Sequence, residues 1–314
     1  MKRGLKLLGP FLGLLVVVLF FAAVGPPGFT SFANFKTIAT QTVIVGLGAI
    51  GMTFVIVSAG IDLSVGSVIA LVSVVVALVL NASLSPLLAL LAGVAVGTLV
   101  GLVTGLLIVK LRVVPFIVTL GMLGIARGVA KWLSGQQKVN APESWLGGLM
   151  SKTVEPAWTL LPPGVWLLLG LGALMALVLR RSVFGIHVTA LGSNEDTARL
   201  CGVAVGRTKA AVYALGGLFA GLAGVMQFGR LGIGDPTAAI GLELNIIAAV
   251  VIGGGSLAGG QGSILGSLIG AFLMTTLANG CDLTDVPTYV QEILIGTIIV
   301  AAVALDRFRH RCEA

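Results

Sequence analysis

A segment without a single charged side chain reads TIATQTVIVGLGAIGMTFVIVS over residues 37–58. A membrane-spanning helix needs about 20 consecutive, mainly apolar residues to cross the hydrocarbon core. Nine further segments approach this pattern, at residues 7–24, 65–81, 86–109, 113–133, 161–179, 209–228, 238–254, 262–279 and 288–305. The sequence therefore predicts an all-α protein, a polytopic membrane helix bundle of about ten transmembrane helices forming one domain over residues 1–314.

The composition excludes the main classes of water-soluble protein. Hydrophobic residues make up 57% of the 314 residues, charged residues make up 10%, and the mean hydropathy is +1.10. Soluble domains contain roughly 45–50% apolar and about 25% charged residues. A cytosolic enzyme, a disordered chain and a secreted disulfide-rich domain are thereby excluded, and the expected surrounding is the lipid bilayer.

The basic residues predict the orientation, because lysine and arginine concentrate in the cytoplasmic loops of membrane proteins. With the N-terminus inside, 13 of the 19 basic residues are cytoplasmic. They are Lys2, Arg3, Lys6, Lys110, Arg112, Arg180, Arg181, Arg199, Arg207, Lys209, Arg307, Arg309 and Arg311. An even number of spans places both termini in the cytoplasm, and residues 180–208 form the most charged cytoplasmic loop. The net charge of +7 follows from this distribution, so no nucleic-acid binding is predicted.

The first segment has a second interpretation as a cleaved signal peptide. Residues 1–3 fit the charged start of such a peptide, and Phe21-Ala22-Ala23-Val24 is a loose cleavage site. The apolar stretch from Leu7 to Val24 is longer than usual for a signal peptide, which favours a retained membrane span.

Glycines recur every four residues in the segment at 86–109, at Gly93, Gly97, Gly101 and Gly105. The same spacing occurs at Gly262, Gly266 and Gly270, and at Gly217 and Gly221. A four-residue step keeps side chains on one helix face, and glycine there lets two helix backbones approach closely. Packing within the chain is the favoured interpretation, and a contact between two subunits is the alternative.

No catalytic, metal or cofactor motif stands in the sequence. Residues 46–51 match G-x-G-x-x-G, but they lie inside an apolar segment instead of after a strand, so they indicate helix packing. Glycine is nowhere followed by lysine, which excludes an ATP-binding P-loop. The cysteines 201, 281 and 312 and the histidines 187 and 310 lack the spacing of metal ligands. We therefore predict no enzyme, no metal site and no cofactor.

The run Gly60-Ile61-Asp62-Leu63-Ser64-Val65-Gly66-Ser67 interrupts two apolar segments. Gly60 is suited to end the preceding helix in the left-handed conformation. Asp62 is suited to accept the free N–H groups at the start of the next helix, where its charge is also favourable. A helix cap is the favoured role of Asp62, and a role in a transport pathway or in coupling is the alternative, with Gly60, Ser64 and Gly66 beside it.

A second break covers residues 253–262, where six of ten residues are glycine. A continuous helix is not expected there, and irregular backbone at membrane depth requires protein or a water-filled cavity beside it. A tight cytoplasmic turn is one interpretation, and a cavity-lining or gating element formed by Gly253, Gly254 and Gly255 is the other. Both breaks place Gly-Ser eleven residues after Val-Ile, at Val55-Ile56 and Val251-Ile252. An internal repeat that points to a transport site is one interpretation of this match, and chance in a glycine-rich chain is the other.

The cytoplasmic loop contains a short helix signal over residues 193–202. Ser193 and Asp196 resemble a capping box, Glu195 and Arg199 are spaced for an ion pair, and Gly202 suits the helix end. Two helical turns are unstable alone in water, so this helix must lie against its own bundle or against a partner.

Together these runs resemble the membrane permease subunit of the ribose-type sugar ABC importers, which also include permeases for xylose, arabinose, galactose, inositol and autoinducer-2. The runs that carry the resemblance are residues 51–56, 60–67, 115–121, 190–195, 198–202 and 251–256. The likeness extends over nearly the whole chain. Its motifs are weak singly and specific as a set.

The resemblance implies a multi-pass permease of the inner membrane for a monosaccharide, with ribose as the first candidate. It implies a second permease copy, as a homodimer, two ABC ATPase subunits on the cytoplasmic side and a periplasmic sugar-binding protein. It also implies that the short helix couples to the ATPase, through Ser193, Asn194, Glu195, Asp196, Arg199, Leu200 and Gly202 within the coupling loop 180–208. Cys201, where relatives often have another small residue, is interpreted as a small buried group.

Polar groups inside the apolar segments are candidates for contact with a neutral sugar. They are Gln41, Thr53, Ser58, Thr119 and Asn245, although such side chains more often make local helix hydrogen bonds. The alternative function is a stand-alone secondary transporter or channel for a small neutral solute. Ion coupling would then require carboxylates near the midplane, and only Glu292 and Glu243 qualify.

Overall fold

The computed structural model describes residues 2–151 and 160–313. Over these residues the chain forms thirteen α-helices, namely α1 Lys2–Val24, α2 Phe32–Val57, α3 Val65–Asn81, α4 Pro86–Leu111, α5 Pro115–Leu133, α6 Trp145–Gly148, α7 Pro163–Arg181, α8 Val183–Ser193, α9 Glu195–Leu200, α10 Val205–Leu231, α11 Leu242–Ile252, α12 Ile264–Leu283 and α13 Thr288–Glu313. Two strands of two residues each, β1 Val139–Asn140 and β2 Ile233–Gly234, pair antiparallel. Lys152 and Trp158 lie outside the described residues, as do the side chains of the basic residues at both chain ends.

The ten predicted segments all coincide with helices, which confirms the helical fold class. Six helices of the described chain, α2, α4, α5, α7, α10 and α12, are long and apolar enough to cross a membrane. The total of about ten spans and the cytoplasmic placement of both termini stay predictions. The segment predicted at 238–254 is wrong in extent, since α11 begins only at Leu242. Its 11 residues span about 16 Å, roughly half of a bilayer core.

The centre of the bundle is α2, in which 94% of the residues in an apolar 18-residue stretch are buried. Around it α10 packs along α4, and glycines make this contact possible. A Cβ atom built on Gly97 would lie 2.6 Å from the carbonyl oxygen of Gly217 and 2.6 Å from the Cα atom of Gly221. The glycine face of α4 is therefore used for packing within the chain, as predicted.

The strand pair joins the loops that follow α5 and α10. Asn81, the last residue of α3, donates a 2.7 Å hydrogen bond to the carbonyl oxygen of Asn140 in β1. Lys138 lies 3.6 Å from the carboxylate of Asp235 just after β2. These loops share one end of the bundle, the end that the charge distribution assigns to the outside.

The first helix packs on the rest of the bundle. The ring of Phe21 is buried and lies against the backbone of Gly280 in α12, and Gly13 contacts Leu273 of the same helix. The described part of α1 therefore contacts α12.

Candidate functional site

Three segments that the sequence singles out meet at one place, which we call the loop junction: residues 57–64, 192–202 and 253–263. The backbone N–H of Gly260 donates a 2.9 Å hydrogen bond to the carbonyl oxygen of Val57. The Cα atom of Gly192 lies against that carbonyl and against the Gly260 nitrogen, leaving no room for a Cβ atom. The two breaks in the apolar pattern and the end of α8 are therefore in direct backbone contact.

The first loop of the junction begins where α2 ends. The left-handed residue there is Ala59, with a φ of 60°, so the prediction that Gly60 has this conformation is wrong. Gly60 instead donates its N–H to Val55 at 2.9 Å, and a Cβ atom on it would lie 2.5 Å from the hydroxyl oxygen of Tyr213. Glycine is needed at this position because α10 approaches closely.

Asp62 is buried, but its predicted capping role is wrong in detail. Its Oδ1 atom accepts hydrogen bonds from the backbone N–H of Ser64 at 2.8 Å and from the Ser64 hydroxyl at 2.6 Å. Ser64 is itself the N-cap residue of α3, so Asp62 holds the cap and not the first turn of the helix. The hydroxyl of Thr119 in α5 lies 3.2 Å from the Ile61 carbonyl oxygen, which ties a third helix to this loop.

The second loop begins in the same way at the end of α11. Gly254 has a φ of 90°, and Gly255 donates its N–H to Val250 at 2.9 Å, as Gly60 does to Val55. Both helices thus end in the Schellman hydrogen-bond pattern. The resemblance of the two breaks is real in backbone geometry, but it aligns Val55 with Val250 and not with Val251 as the residue match predicts.

The predicted coupling helix is present as α9, with one correction. Asn194 is its N-cap, since the Oδ1 atom accepts the N–H of Thr197 at 2.8 Å. Ser193 belongs to α8, where its hydroxyl donates to Thr189, so its predicted capping role is wrong. Gly202 closes the helix with a φ of 85°, as predicted.

Charged side chains fasten α9 to α10. The Glu195 carboxylate lies 3.1 Å from Arg199 and 2.6 Å from Lys209 at the start of α10. Six of the seven residues assigned to coupling are exposed and Glu195 is partly exposed, while Ala198 faces inward. Leu200 is 89% exposed and Cys201 is exposed as well, which contradicts its interpretation as a buried group. The helix thus presents Leu200 and its charged neighbours away from the bundle.

Two of the predicted pathway residues lie away from the junction. Gly66 lies in the first turn of α3, with its Cα atom against the carboxylate of Glu243 and the carbonyl of Ala239. Asn245 lies two residues after Glu243 in α11. Its Oδ1 atom is buried without a hydrogen bond among the described residues. Thr53, Ser58 and Thr119 donate hydrogen bonds to carbonyl oxygens three or four residues earlier in the chain, as such side chains in helices commonly do.

The sequence argument missed Arg127. This half-buried arginine of α5 donates hydrogen bonds of 2.8 Å and 2.7 Å to the carbonyl oxygens of Pro236 and Ala238. It thereby holds the irregular segment before α11 in place. An arginine within an apolar helix could have predicted this contact, because a charged side chain is costly in lipid and needs a partner.

Two cavities open at opposite ends of the bundle. The outer cavity, of about 660 Å³, is lined by Gln41, Glu143 and Arg230 among others. The inner cavity, of about 760 Å³, lies between the end of α4, the start of α10 and α9. Gln41 is the one polar sugar-contact candidate in these two linings. Neither cavity is lined by Gly60, Asp62, Ser64, Gly66, Thr119, Asn245, Gly253, Gly254 or Gly255. Within the described residues no group of three His, Cys, Asp or Glu side chains suits a metal ion.

Comparison with known proteins gives a consistent result. A family model described as "Branched-chain amino acid transport system / permease component" matches residues 34–303. The ribose import permease protein RbsC of Bacillus subtilis (strain 168) is 38% identical over 306 residues, which cover 96% of this chain and 92% of the relative. RbsC of Escherichia coli (strain K12) is 40% identical over 293 residues, 93% of this chain and 91% of the relative. The L-arabinose transport system permease protein AraH of Escherichia coli (strain K12) is 36% identical over 304 residues, 96% and 92% of the two chains. No solved structure matches the chain significantly.

Proposed function

The chain belongs to the family of branched-chain amino acid transport system permease components, and we propose that it is the membrane permease subunit of an ABC importer for a monosaccharide, with ribose the first candidate. The observation that carries the proposal is the likeness to ribose and arabinose permeases, at 36–40% identity over more than nine-tenths of the chain. The protein is a multi-pass protein of the inner membrane. Family membership does not favour a stand-alone secondary transporter or channel.

Energy then comes from a separate ABC ATPase on the cytoplasmic side. The sequence has no P-loop, so ATP has to be bound on another polypeptide. We propose that this ATPase binds α9, whose exposed Leu200 and charged neighbours are available to a partner. ATP binding by the partner moves α9 as a rigid element.

The contacts of α9 suggest how its movement reaches the pathway. The helix joins α8 through the single residue Asn194, and α8 ends at Gly192 and Ser193 against the loop junction. A displacement of α9 therefore acts on both loops, and through them on α2, α3, α11 and α12. Because the loops touch backbone to backbone, we propose that they respond together and alternate access to the path.

The remaining partners follow from the same importer architecture. We propose that a periplasmic sugar-binding protein docks at the outer end and that a second copy of the chain completes the pathway. The second copy is proposed from this architecture alone.

Reconstitution tests the function. Vesicles containing this chain, its ATPase and its binding protein are expected to accumulate labelled ribose when ATP is supplied to the ATPase side. Vesicles with the chain alone are expected to show no uphill uptake. Uphill uptake by the chain alone contradicts the proposal, and uptake of another monosaccharide in place of ribose changes only the substrate.

A further inference from the structure

The inner cavity contains basic side chains that the proposed coupling role of α9 does not include, those of Arg112, Arg207 and Lys209. Four cationic side chains line it, those of Arg112, Arg199, Arg207 and Lys209, against the single carboxylate of Glu195. That carboxylate is already paired with Lys209 and Arg199. Among the described residues neither Arg112 nor Arg207 has an ion-pair partner. The cavity therefore carries uncompensated positive charge and suits an anion.

The backbone at Arg112 gives a second observation. Arg112 is the C-cap of α4 and has a φ of 53°, in the left-handed region where glycine is the favoured residue. This conformation is less favourable for arginine than for glycine, and Arg112 lines the cavity from it.

The surface next to the cavity favours a lipid as the anion. Leu111, Val114 and Ile117 are 61%, 62% and 60% exposed, and Val114 also lines the cavity. An apolar surface thus continues from the cavity along the first turn of α5. The cavity lies where α4 and α10 pass from apolar span to charged loop, the depth at which lipid headgroups lie. A soluble anion needs no such apolar surface, whereas a lipid needs both parts.

We propose that the inner cavity binds the phosphate-bearing headgroup of an anionic glycerophospholipid from the cytoplasmic leaflet. Arg112 and Arg207 bind the phosphate, and the acyl chains lie on Leu111, Val114 and Ile117. Basic cavities between membrane helices on this side are known to take anionic headgroups. Since Glu195 and Arg199 of α9 form another wall, the bound lipid supports the coupling helix from the membrane side, while Leu200 stays free for the ATPase.

Native mass spectrometry of the full chain in detergent tests the proposal, with phosphatidylglycerol and phosphatidylcholine as probes. The double variant Arg112→Gly/Arg207→Gln is expected to bind phosphatidylglycerol about 30-fold more weakly, from a contribution of about 1 kcal/mol per basic residue. Glycine suits the backbone at position 112, so this variant is expected to keep its thermal stability. The control Lys110→Gln/Arg180→Gln removes the same charge outside the cavity and is expected to keep the affinity within about twofold.

Three results would overturn the proposal. Equal losses in both double variants would mean that lipid binds by diffuse attraction. Displacement of phosphatidylglycerol by millimolar inorganic phosphate would indicate a small-anion site. Normal lipid binding by the cavity variant, together with loss of ATPase binding, would make the cavity part of the ATPase contact.

Discussion

The backbone N–H of Gly260 donates a 2.9 Å hydrogen bond to the carbonyl oxygen of Val57, and this bond connects the two interrupted regions of the bundle. Val57 is the last residue of α2, and Gly260 belongs to the loop that leads from α11 to α12. Gly192 packs on the same carbonyl from α8. The Val57 carbonyl group is thus contacted both by the loop between α11 and α12 and by α8, the helix that precedes α9.

Gly192→Ala is expected to abolish transport, because the new methyl group has no space between the Val57 carbonyl and the Gly260 nitrogen. Forcing an extra carbon into a tightly packed position costs about 1–3 kcal/mol. We expect a lower melting temperature in detergent and a loss of ATP-driven uptake. The control is Gly170→Ala in α7, where no atom lies within 4 Å of the added carbon. Normal uptake by Gly192→Ala would contradict the prediction, because it would show that transport does not need the close contact of Gly192 with Val57 and Gly260.

Much of the fold could be predicted from the sequence, because hydropathy marks ten of the thirteen helices of the described chain without knowledge of their neighbours. The capping details could not, since they depend on contacts between distant segments. Glycine is required at position 60 because the Tyr213 hydroxyl leaves no room for a Cβ atom. The left-handed conformation predicted for Gly60 occurs at Ala59. The short helix α9 could be predicted because Glu195, Arg199 and Gly202 are local signals. No local sequence pattern could predict that the loops after α2 and α11 both contact α8.

Glu195→Gln/Arg199→Gln is expected to uncouple ATP hydrolysis from transport. Both side chains are exposed enough that losing their pairing should change the unfolding free energy by less than about 1 kcal/mol. We expect uptake in reconstituted vesicles to fall more than tenfold while the basal ATPase rate persists. A matched control, Lys131→Gln/Asp285→Asn, removes one base and one acid from other exposed positions. Unchanged uptake per ATP in the α9 variant would contradict the coupling assignment.

Gly97→Leu is expected to separate α4 from α10. The Cα atoms of Gly97 and Gly221 face each other without side chains between them, so a leucine requires the backbones to move apart. We expect a loss of about 3 kcal/mol or more, seen as a lower melting temperature and reduced yield of folded protein. Gly121→Leu in α5 is the control, because no atom lies within 4 Å of the added carbon there. Equal melting temperatures for the two variants would contradict the close contact.

Arg127→Met is expected to release the segment that precedes α11. The Nη1 atom of Arg127 donates to the carbonyl oxygens of Pro236 and Ala238, and both acceptors lose this donor in the variant. Hydrogen bonds from charged groups contribute about 1.5–3 kcal/mol each, so the loss should lower the melting temperature clearly. Amide hydrogen exchange in residues 235–241 should rise at the same time. The control Lys131→Met removes an exposed charge one turn further along α5. If exchange in this segment rises equally in both variants, Arg127 does not hold it, and the segment is fixed instead by β2 and the Asp235 contacts with Lys138 and Thr237.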